Sequence, residues 1–411
     1  MSNPTDPSAT TNGFRPLTSE EEKLDQLLAW LEEHTTLFSA LAPTLILQDR
    51  ATLSPAEFAE WSAKVEAARQ QANNNAARLG DEISHASRMV LGAAADQSLP
   101  YQRYADGKVS FRDVTVPVTT SGWHIDSLPL SDGSKDTAPA IVGEPASGAA
   151  ADTSVDVRVF TPTNPTGSLI IAAHGGSWWM GNGACRDMLF GPDAAALAEV
   201  SGAVVLDVDY RLAPEHPLPA PINDVLAVTQ WARDHADELG IDPAKIVLWG
   251  TSSGGHVAAL TAAITAASGR EPYAGLLLTM PALDLTGIRP EVLRAVYGQL
   301  LEDSSAFVSP VKIAPELLPP THVQLAEREE LVRGGESWPA PETTVTTLLA
   351  THIVATPKVQ RERIVDLAVA TLRLTNTERD LPEDPDATYS AEAVDQANRQ
   401  SWGPVLRPDE L

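Results

Sequence analysis

The chain has 411 residues, enough for one large α/β domain with additions or for two domains, and 43% of them are hydrophobic, so a sizeable core can form. Its formal charge of −26, from 29 Lys and Arg against 55 Asp and Glu, argues against binding nucleic acid or an anionic membrane through net charge. No apolar stretch approaches the roughly 18–20 residues of a membrane span, and the single cysteine, Cys185, permits no intramolecular disulfide. Met1 to Phe14 shows no basic-plus-apolar signal pattern, so the expectation is a cytoplasmic protein.

In chain order, residues 1–13 read as disordered. Thr18-Ser19-Glu20-Glu21 is a capping box, and Leu24, Leu27, Leu28 and Leu31 then recur on one helical face. Ser54-Pro55-Ala56-Glu57 starts a second helix with the stripe Phe58, Trp61, Val65, and Gly80 is the expected stop or break. Residues 14–95 thus form a helical appendage whose apolar stripes must bury against the main domain or another subunit. Val114, Val116 and Val118 alternate with polar residues and predict a strand over Val109–Val118. The small-residue, Gly- and Pro-rich segment 131–153 reads as a mobile insertion.

Strands and helices then alternate. Strands are predicted over Ser154–Phe160, Leu169–Ala173, Ala203–Val208, Lys245–Trp249, Tyr273–Met280, Thr321–Leu325 and Thr343–Leu349. Helices are predicted over Ala194–Glu199, Ala220–Leu239, Ser253–Ala267, Ile288–Leu300 and Pro357–Leu374. Continuous apolar strands between helices predict an α/β domain over residues 96–375, with a mostly parallel sheet covered on both faces. Ligands of such sheets bind beyond the carboxyl ends of the strands. The acidic, proline-bearing tail 376–411 adds little core in this reading.

Three motifs sit at such strand ends. Gly250-Thr251-Ser252-Ser253-Gly254 follows the strand Ile246-Val247-Leu248-Trp249 and precedes an alanine-rich helix, the strand–turn–helix setting of a G-x-S-x-G nucleophile elbow. A serine lifted above the sheet at Ser252 can attack a carbonyl carbon. His174-Gly175-Gly176-Ser177-Trp178-Trp179 follows Leu169–Ala173, and its glycines let backbone N–H groups approach a ligand closely, as a developing oxyanion requires. Asp209-Tyr210-Arg211-Leu212-Ala213-Pro214-Glu215-His216-Pro217-Leu218-Pro219-Ala220 is stiffened by proline, and its charges are expected to pair internally, with Arg211 and Glu215 in structural roles. Trp178 and Trp179 either line a substrate pocket or pack in the core.

Together, HGGSW, DYRLAPEHPLPA and GTSSGGH resemble the hormone-sensitive-lipase-like family of α/β-hydrolases, whose motifs run HGGG, DYRLAPEHPFPA and GDSAGG. The resemblance spans residues 108–375 and is most specific in the second block. It implies an α/β-hydrolase fold, an N-terminal helical cap, and a Ser–acid–His triad in that chain order. Ser252 is then the nucleophile. His322 and His352 both follow it, and His352, between the last strand and the last helix, stands where the family places its base. The family pattern LPPT, strand, G-x-x-D-x-L maps onto Leu318-Pro319-Pro320-Thr321 and Ala326–Leu331, which puts Glu329 at the acid position, with Glu330 and Glu327 as alternatives. The oxyanion donors would be Gly176, Ser177 and Ser253, with Gly175 shaping the loop.

Departures are also visible. Ser177 replaces a glycine, Thr251 and Ser253 replace Asp and Ala of the elbow, and the Glu329–His352 segment is short, with Gly334–Pro341 not reading as a helix. The expected activity is a serine carboxylesterase acting on small to medium esters, with no metal and no cofactor. An amidase, formamidase or lactonase on the same triad, or a catalytically silent binding protein on the same fold, are the alternatives. The partners expected are a small-molecule ester and no nucleic acid, with a homo-oligomer through the N-terminal helices as a further option.

Overall fold

The computed structural model describes residues 19–34, 44–48, 50–91, 108–118, 127–136, 153–302, 305–329 and 332–381. The expectations for residues 1–13, for 137–152 of the insertion and for the tail from 382 onward lie outside the described residues.

The N-terminal region contributes α1 (Glu20–His34) and the 37-residue α2 (Pro55–Leu91). Strands β1 (Val109–Pro117), β2 (Leu128–Pro129), β3 (Lys135–Asp136), β4 (Ser154–Pro162) and β5 (Leu169–Ala173) follow. Next come α3 (Gly183–Cys185), α4 (Gly191–Ser201), β6 (Val204–Asp209), α5 (Ala220–Asp234) and α6 (Ala236–Leu239). Then β7 (Ile246–Thr251), α7 (Ser253–Ala267), β8 (Gly275–Thr279) and α8 (Pro290–Tyr297) lead to β9 (Thr321–Ala326), α9 (Val332–Glu336), β10 (Thr343–Leu348) and α10 (Pro357–Leu374).

Eight strands form one sheet in the order β1-β4-β6-β5-β7-β8-β9-β10. The pairs from β6 through β10 are parallel, and β4 runs antiparallel to both of its neighbours. Strand side chains alternate between faces, and the core divides accordingly. Leu169, Ile171, Val204, Leu206, Leu248 and Leu278 pack on one side with α5 and α7. Ile170, Val205, Val247 and Leu277 pack on the other with α4 and α10. The chain passes from β5 to β6 on one side, then returns to place β7 on the other side of β5. At this reversal the carboxyl ends of β5 and β7 lie side by side, and the His174 loop and Ser252 both emerge there, the position at which ligands of such sheets bind.

The helical appendage departs from expectation in one respect. Helix α2 runs unbroken through Gly80. A Cβ there would lie 2.6 Å from Leu189 Cδ2, so glycine permits close approach to the segment preceding α4 and does not mark a break. The start of α2 is a reciprocal capping box: Ser54 N donates to Glu57 Oε2 (2.9 Å), and Glu57 N donates to Ser54 Oγ (3.4 Å). At α1 the capping oxygen is Ser19 Oγ, which accepts from Glu22 N at 3.1 Å; Thr18 lies outside the described residues.

Other elements differ locally. The start of the 131–153 segment is not loop throughout: Lys135–Asp136 pairs with Leu128–Pro129 as a hairpin, and Asp136 Oδ2 accepts from Ser305 Oγ and Ala306 N, both at 2.7 Å. The helix predicted over Ala220–Leu239 divides at His235 into α5 and α6. The beginning of the tail adds to the core, since Leu381 packs against the α4–α10 cluster and Arg379 donates to Asn164 O (2.7 Å) and Glu199 O (3.0 Å).

Leu24, Leu27 and Leu31 of α1 are fully buried with Ala86 of α2 and Val354. Truncating Leu27 to Ala should lower stability by about 2–5 kcal/mol in urea unfolding. An unchanged midpoint would contradict the docking of α1.

Candidate active site

Ser252 links β7 to α7 with φ 54° and ψ −119°, outside the regions a non-glycine residue ordinarily occupies. Its neighbours leave no room for another path. A Cβ on Gly250 would lie 2.3 Å from Gly254 O, one on Gly254 2.0 Å from Ala173 O, and one on Gly255 2.6 Å from Pro281 Cβ. The elbow is pinned from the next strand as well, with Ser252 N donating to Thr279 O (2.9 Å) and Ala282 N donating to Ser252 O (3.0 Å). The serine therefore stands at the N-terminus of α7, where unsatisfied N–H groups and the helix dipole favour negative charge.

His352 Nε2 lies 2.9 Å from Ser252 Oγ. The imidazole is presented on a tight turn closed by an Ala350–Ala355 bridge and by Thr351 N donating to Val354 O at 2.9 Å. The carboxylate of Glu329 meets His352 Nδ1 through Oε1. Neither atom has another polar partner among the described residues, so each is satisfied by the other. Glu327 N donates to Leu348 O (2.9 Å) and Arg328 N to Ala350 O (3.0 Å), zipping the turn after β9 to the end of β10. This is how the short acid–base segment keeps Glu329 within reach of the histidine. The Glu329 side chain is 6% exposed and that of His352 35%, so the carboxylate is shielded while the imidazole meets solvent.

Of the neighbouring glutamates, Glu327 is exposed and Glu330 lies outside the described residues. Within the short segment, Val332–Glu336 does form a turn of helix, contrary to expectation. Its glycine pair permits the packing, because a Cβ on Gly334 would sit 2.8 Å from Asp284 N and one on Gly335 2.3 Å from Leu325 Cδ2.

The loop after β5 makes a tight turn, closed by Trp179 N (3.2 Å) and Met180 N (3.0 Å) donating to Gly176 O. Gly176 has φ +122°, and Ser177 (53°) and Trp178 (64°) adopt left-handed conformations without being glycine. A Cβ on Gly175 would lie 3.2 Å from Ser252 Cβ, so the loop approaches the elbow closely. Among the described residues, the N–H groups of Gly176, Ser177 and Ser253 donate to no other group. Beneath the loop, His174 stacks on Tyr210 with ring centroids 4.2 Å apart, and Tyr210 OH donates to His174 O at 2.6 Å. Complete burial holds the His174 pKa below the usual histidine value, so the ring is neutral. Its Nδ1 then carries the proton and donates to Gly175 O at 2.7 Å.

The proline-rich block pairs outward, contrary to the expectation of internal pairing. Arg211 forms an ion pair with Asp224 of α5 (2.7 Å), and Glu215 with Arg69 of α2 (2.5 Å). The block also holds the loop after β5, as Ala213 N donates to Trp178 O at 2.9 Å.

Both tryptophans lie in packed clusters. Trp178 joins the main core, its ring edge-on to His256. Burial lowers the His256 pKa to about 4, so this ring is neutral too, and its Nε2 bonds Phe307 O at 2.7 Å. Trp179 packs with Ile46, Trp61 and Val65 of the appendage. The second C-terminal histidine, His322, is engaged elsewhere: its Nε2 bonds Asp366 (2.7 Å) and its Nδ1 bonds Thr344 Oγ1 (2.8 Å).

Residues missed in the sequence are Arg69 and Asn73, which reach the loop from α2. Arg69 Nε donates to Trp179 O (2.7 Å), and Asn73 Oδ1 accepts from Gly181 N (3.0 Å). The available signal was their spacing, since they continue the buried stripe of Trp61 and Val65 at every fourth position.

Residues 170–339 match a family model described as alpha/beta hydrolase fold. Over 131 residues the chain is 40% identical to carboxylesterase NlhH of Mycobacterium tuberculosis, covering 31% of this chain and 40% of that one. Over 155 residues it is 34% identical to ethyl acetate hydrolase of Pseudomonas putida, covering 36% and 47%. The chain therefore spans less than half the length of each of these curated relatives. Among solved structures, an esterase of Pyrobaculum calidifontis shares the fold with a TM-score of 0.53 at 22% identity, over 80% of this chain and 98% of that one. The chain therefore has the α/β-hydrolase fold, and its central stretch is similar to proteins named as esterases.

A Cβ on Gly254 would meet the backbone oxygens of Ala173 and His174, which cannot rotate away. Gly254→Ala should push α7 off β5 and cost at least the about 1–3 kcal/mol of ordinary overpacking, read by urea unfolding. Wild-type stability in that variant would contradict the close approach.

Proposed function

We propose that this chain is a serine carboxylesterase acting on small to medium carboxylic esters. The observation that carries the reading is the 2.9 Å contact from Ser252 Oγ to His352 Nε2, with Glu329 against the opposite ring nitrogen. The names of the relatives, a carboxylesterase and an ethyl acetate hydrolase, favour an ester over an amide as the substrate class.

In this scheme His352 Nε2 takes the hydroxyl proton as Ser252 Oγ bonds to the ester carbonyl carbon. The carbonyl oxygen becomes an oxyanion and is received by the N–H groups of Gly176, Ser177 and Ser253, with Gly175 allowing the approach. Preorganised donors of this kind are typically worth about 10²–10³ in rate each. Collapse breaks the bond to the alcohol, which leaves with the proton from the imidazolium, and an acyl-serine remains. Water then gives a proton to Nε2 and attacks the acyl carbon, and the serine leaves with that proton restored. Glu329 holds the Nδ1–H tautomer and stabilises the imidazolium. Its shielding strengthens that interaction, while the exposed edge of His352 leaves water a route to the second step. Among the described residues, no group of three or more His, Cys, Asp or Glu is arranged to hold a metal ion, and no helix is long and apolar enough to cross a membrane.

The purified protein should release p-nitrophenol from p-nitrophenyl acetate and butyrate, and Ser252→Ala should reduce turnover to background. Glu329→Gln should lower kcat by up to about 10⁴-fold, because the amide favours the wrong imidazole tautomer. Turnover by Ser252→Ala equal to wild type would overturn the reading. An unchanged rate in Glu329→Gln would remove the acid assignment.

A further inference from the structure

Helix α2 carries a buried residue at every fourth position: Trp61, Val65, Arg69, Asn73 and Ala77. The stripe begins apolar and turns polar where it passes the loop after β5. Arg69 is only 5% exposed, and a buried guanidinium must be paired and hydrogen-bonded to be tolerated. Its contacts are spread over separate segments. Nε donates to Trp179 O (2.7 Å), while Nη2 donates to Ala213 O (3.2 Å) and to Glu215 Oε2 (2.5 Å). Nη1 pairs with Glu66 on its own helix. One turn further along α2, Asn73 Oδ1 accepts from Gly181 N (3.0 Å) and its Nδ2 donates to Asn182 Oδ1. From the segment before α2, Arg50 Nη1 donates to Glu215 O at 2.8 Å.

These contacts grip the turn that contains Ser177 and Trp178, both held at positive φ. Non-glycine residues persist in such conformations only where the surroundings over-determine them. The inner side of the turn is fixed by the buried Trp178 ring and by Ala213 N on Trp178 O. The outer side is fixed by Arg69 at Trp179 O and by Asn73 at Gly181 N.

We propose that Arg69 is a positioning residue for the oxyanion-binding N–H groups of Gly176 and Ser177. It acts through the backbone carbonyl of Trp179 and couples this loop to the proline-rich block through Glu215. The N-terminal helix is thereby part of the scaffold of the reaction centre and not a detachable cover. The inference rests on the esterase reading above.

The test uses the full-length chain with p-nitrophenyl butyrate. Arg69→Met keeps an unbranched apolar stem but has no donors, and it should lower kcat about 10–100-fold, the scale of a small misplacement of catalytic groups. KM should change by no more than about twofold, because the donors act chiefly on the transition state. Adding Ser177→Gly to Arg69→Met should recover part of the lost kcat, since glycine adopts the turn without strain, with urea unfolding used to check that both variants are fully folded under the assay conditions. If Arg69→Met does not fold, Arg69→Lys keeps a charge beside Glu215 while losing the Nε contact to Trp179, and it should show the same selective fall in kcat. Wild-type kcat in the folded variants, or a loss that Ser177→Gly leaves unchanged, overturns the proposal. An inactive wild type would instead sink the esterase reading itself.

Discussion

At φ 54° and ψ −119°, Ser252 occupies a backbone conformation that a free serine would leave, and the surrounding architecture keeps it there. The glycines on either side are necessary because backbone atoms occupy the space that a Cβ would fill. Those contacts require β5, β7 and α7 to meet at close range, which the parallel sheet achieves where its strand order reverses. The same convergence brings the loop after β5 so near the serine that a Cβ on Gly175 would lie 3.2 Å from Ser252 Cβ. The placement of Ser252 and that of the loop after β5 are thus two consequences of one packing constraint.

The rest of the site is held from outside the sheet, and the N-terminal helices take part on both flanks. On the base side, α1 buries Leu24, Leu27 and Leu31 against Val354, two residues beyond His352. Glu20 of α1 accepts from Thr356 Oγ1 at 2.7 Å, and Arg328, adjacent to Glu329, pairs with Asp25 and with Glu21 (3.4 Å). The Arg328 pairs are partly exposed and worth little individually, so the buried leucines dominate that attachment. On the oxyanion side, α2 makes the polar contacts of Arg69 and Asn73. A segment as short as the one between Glu329 and His352 would be expected to hold the two side chains loosely. Here the backbone bonds from Glu327 and Arg328 to the end of β10, together with the packing of α1, hold that segment in place.

Much of this was legible in the sequence because it depends on local rules. Apolar strands between helices gave the layered sheet, and Ser253–Ala267 and Pro357–Leu374 have the ends expected from their caps. The three motifs located Ser252, the Gly175–Ser177 loop and the proline-rich block. Family spacing singled out His352 and Glu329, which lie in contact. What escaped depends on partners distant in sequence. Gly80 reads as a helix breaker until Leu189 is known to press on it. Glu215 was assigned an internal partner because sequence proximity was the only guide, whereas its partner lies 146 residues away. Ser177 marked a loss of backbone freedom, but only the three-dimensional contacts show how a non-glycine residue is held at positive φ.

Reaction with a fluorophosphonate probe tests the central claim most directly, because it reports the nucleophile itself and does not depend on choosing the right substrate. Intact-mass analysis followed by peptide mapping should show one adduct, on the peptide carrying Ser252, and none when His352 is replaced by Ala. No adduct on the wild-type chain, or an adduct on another residue, would contradict the account.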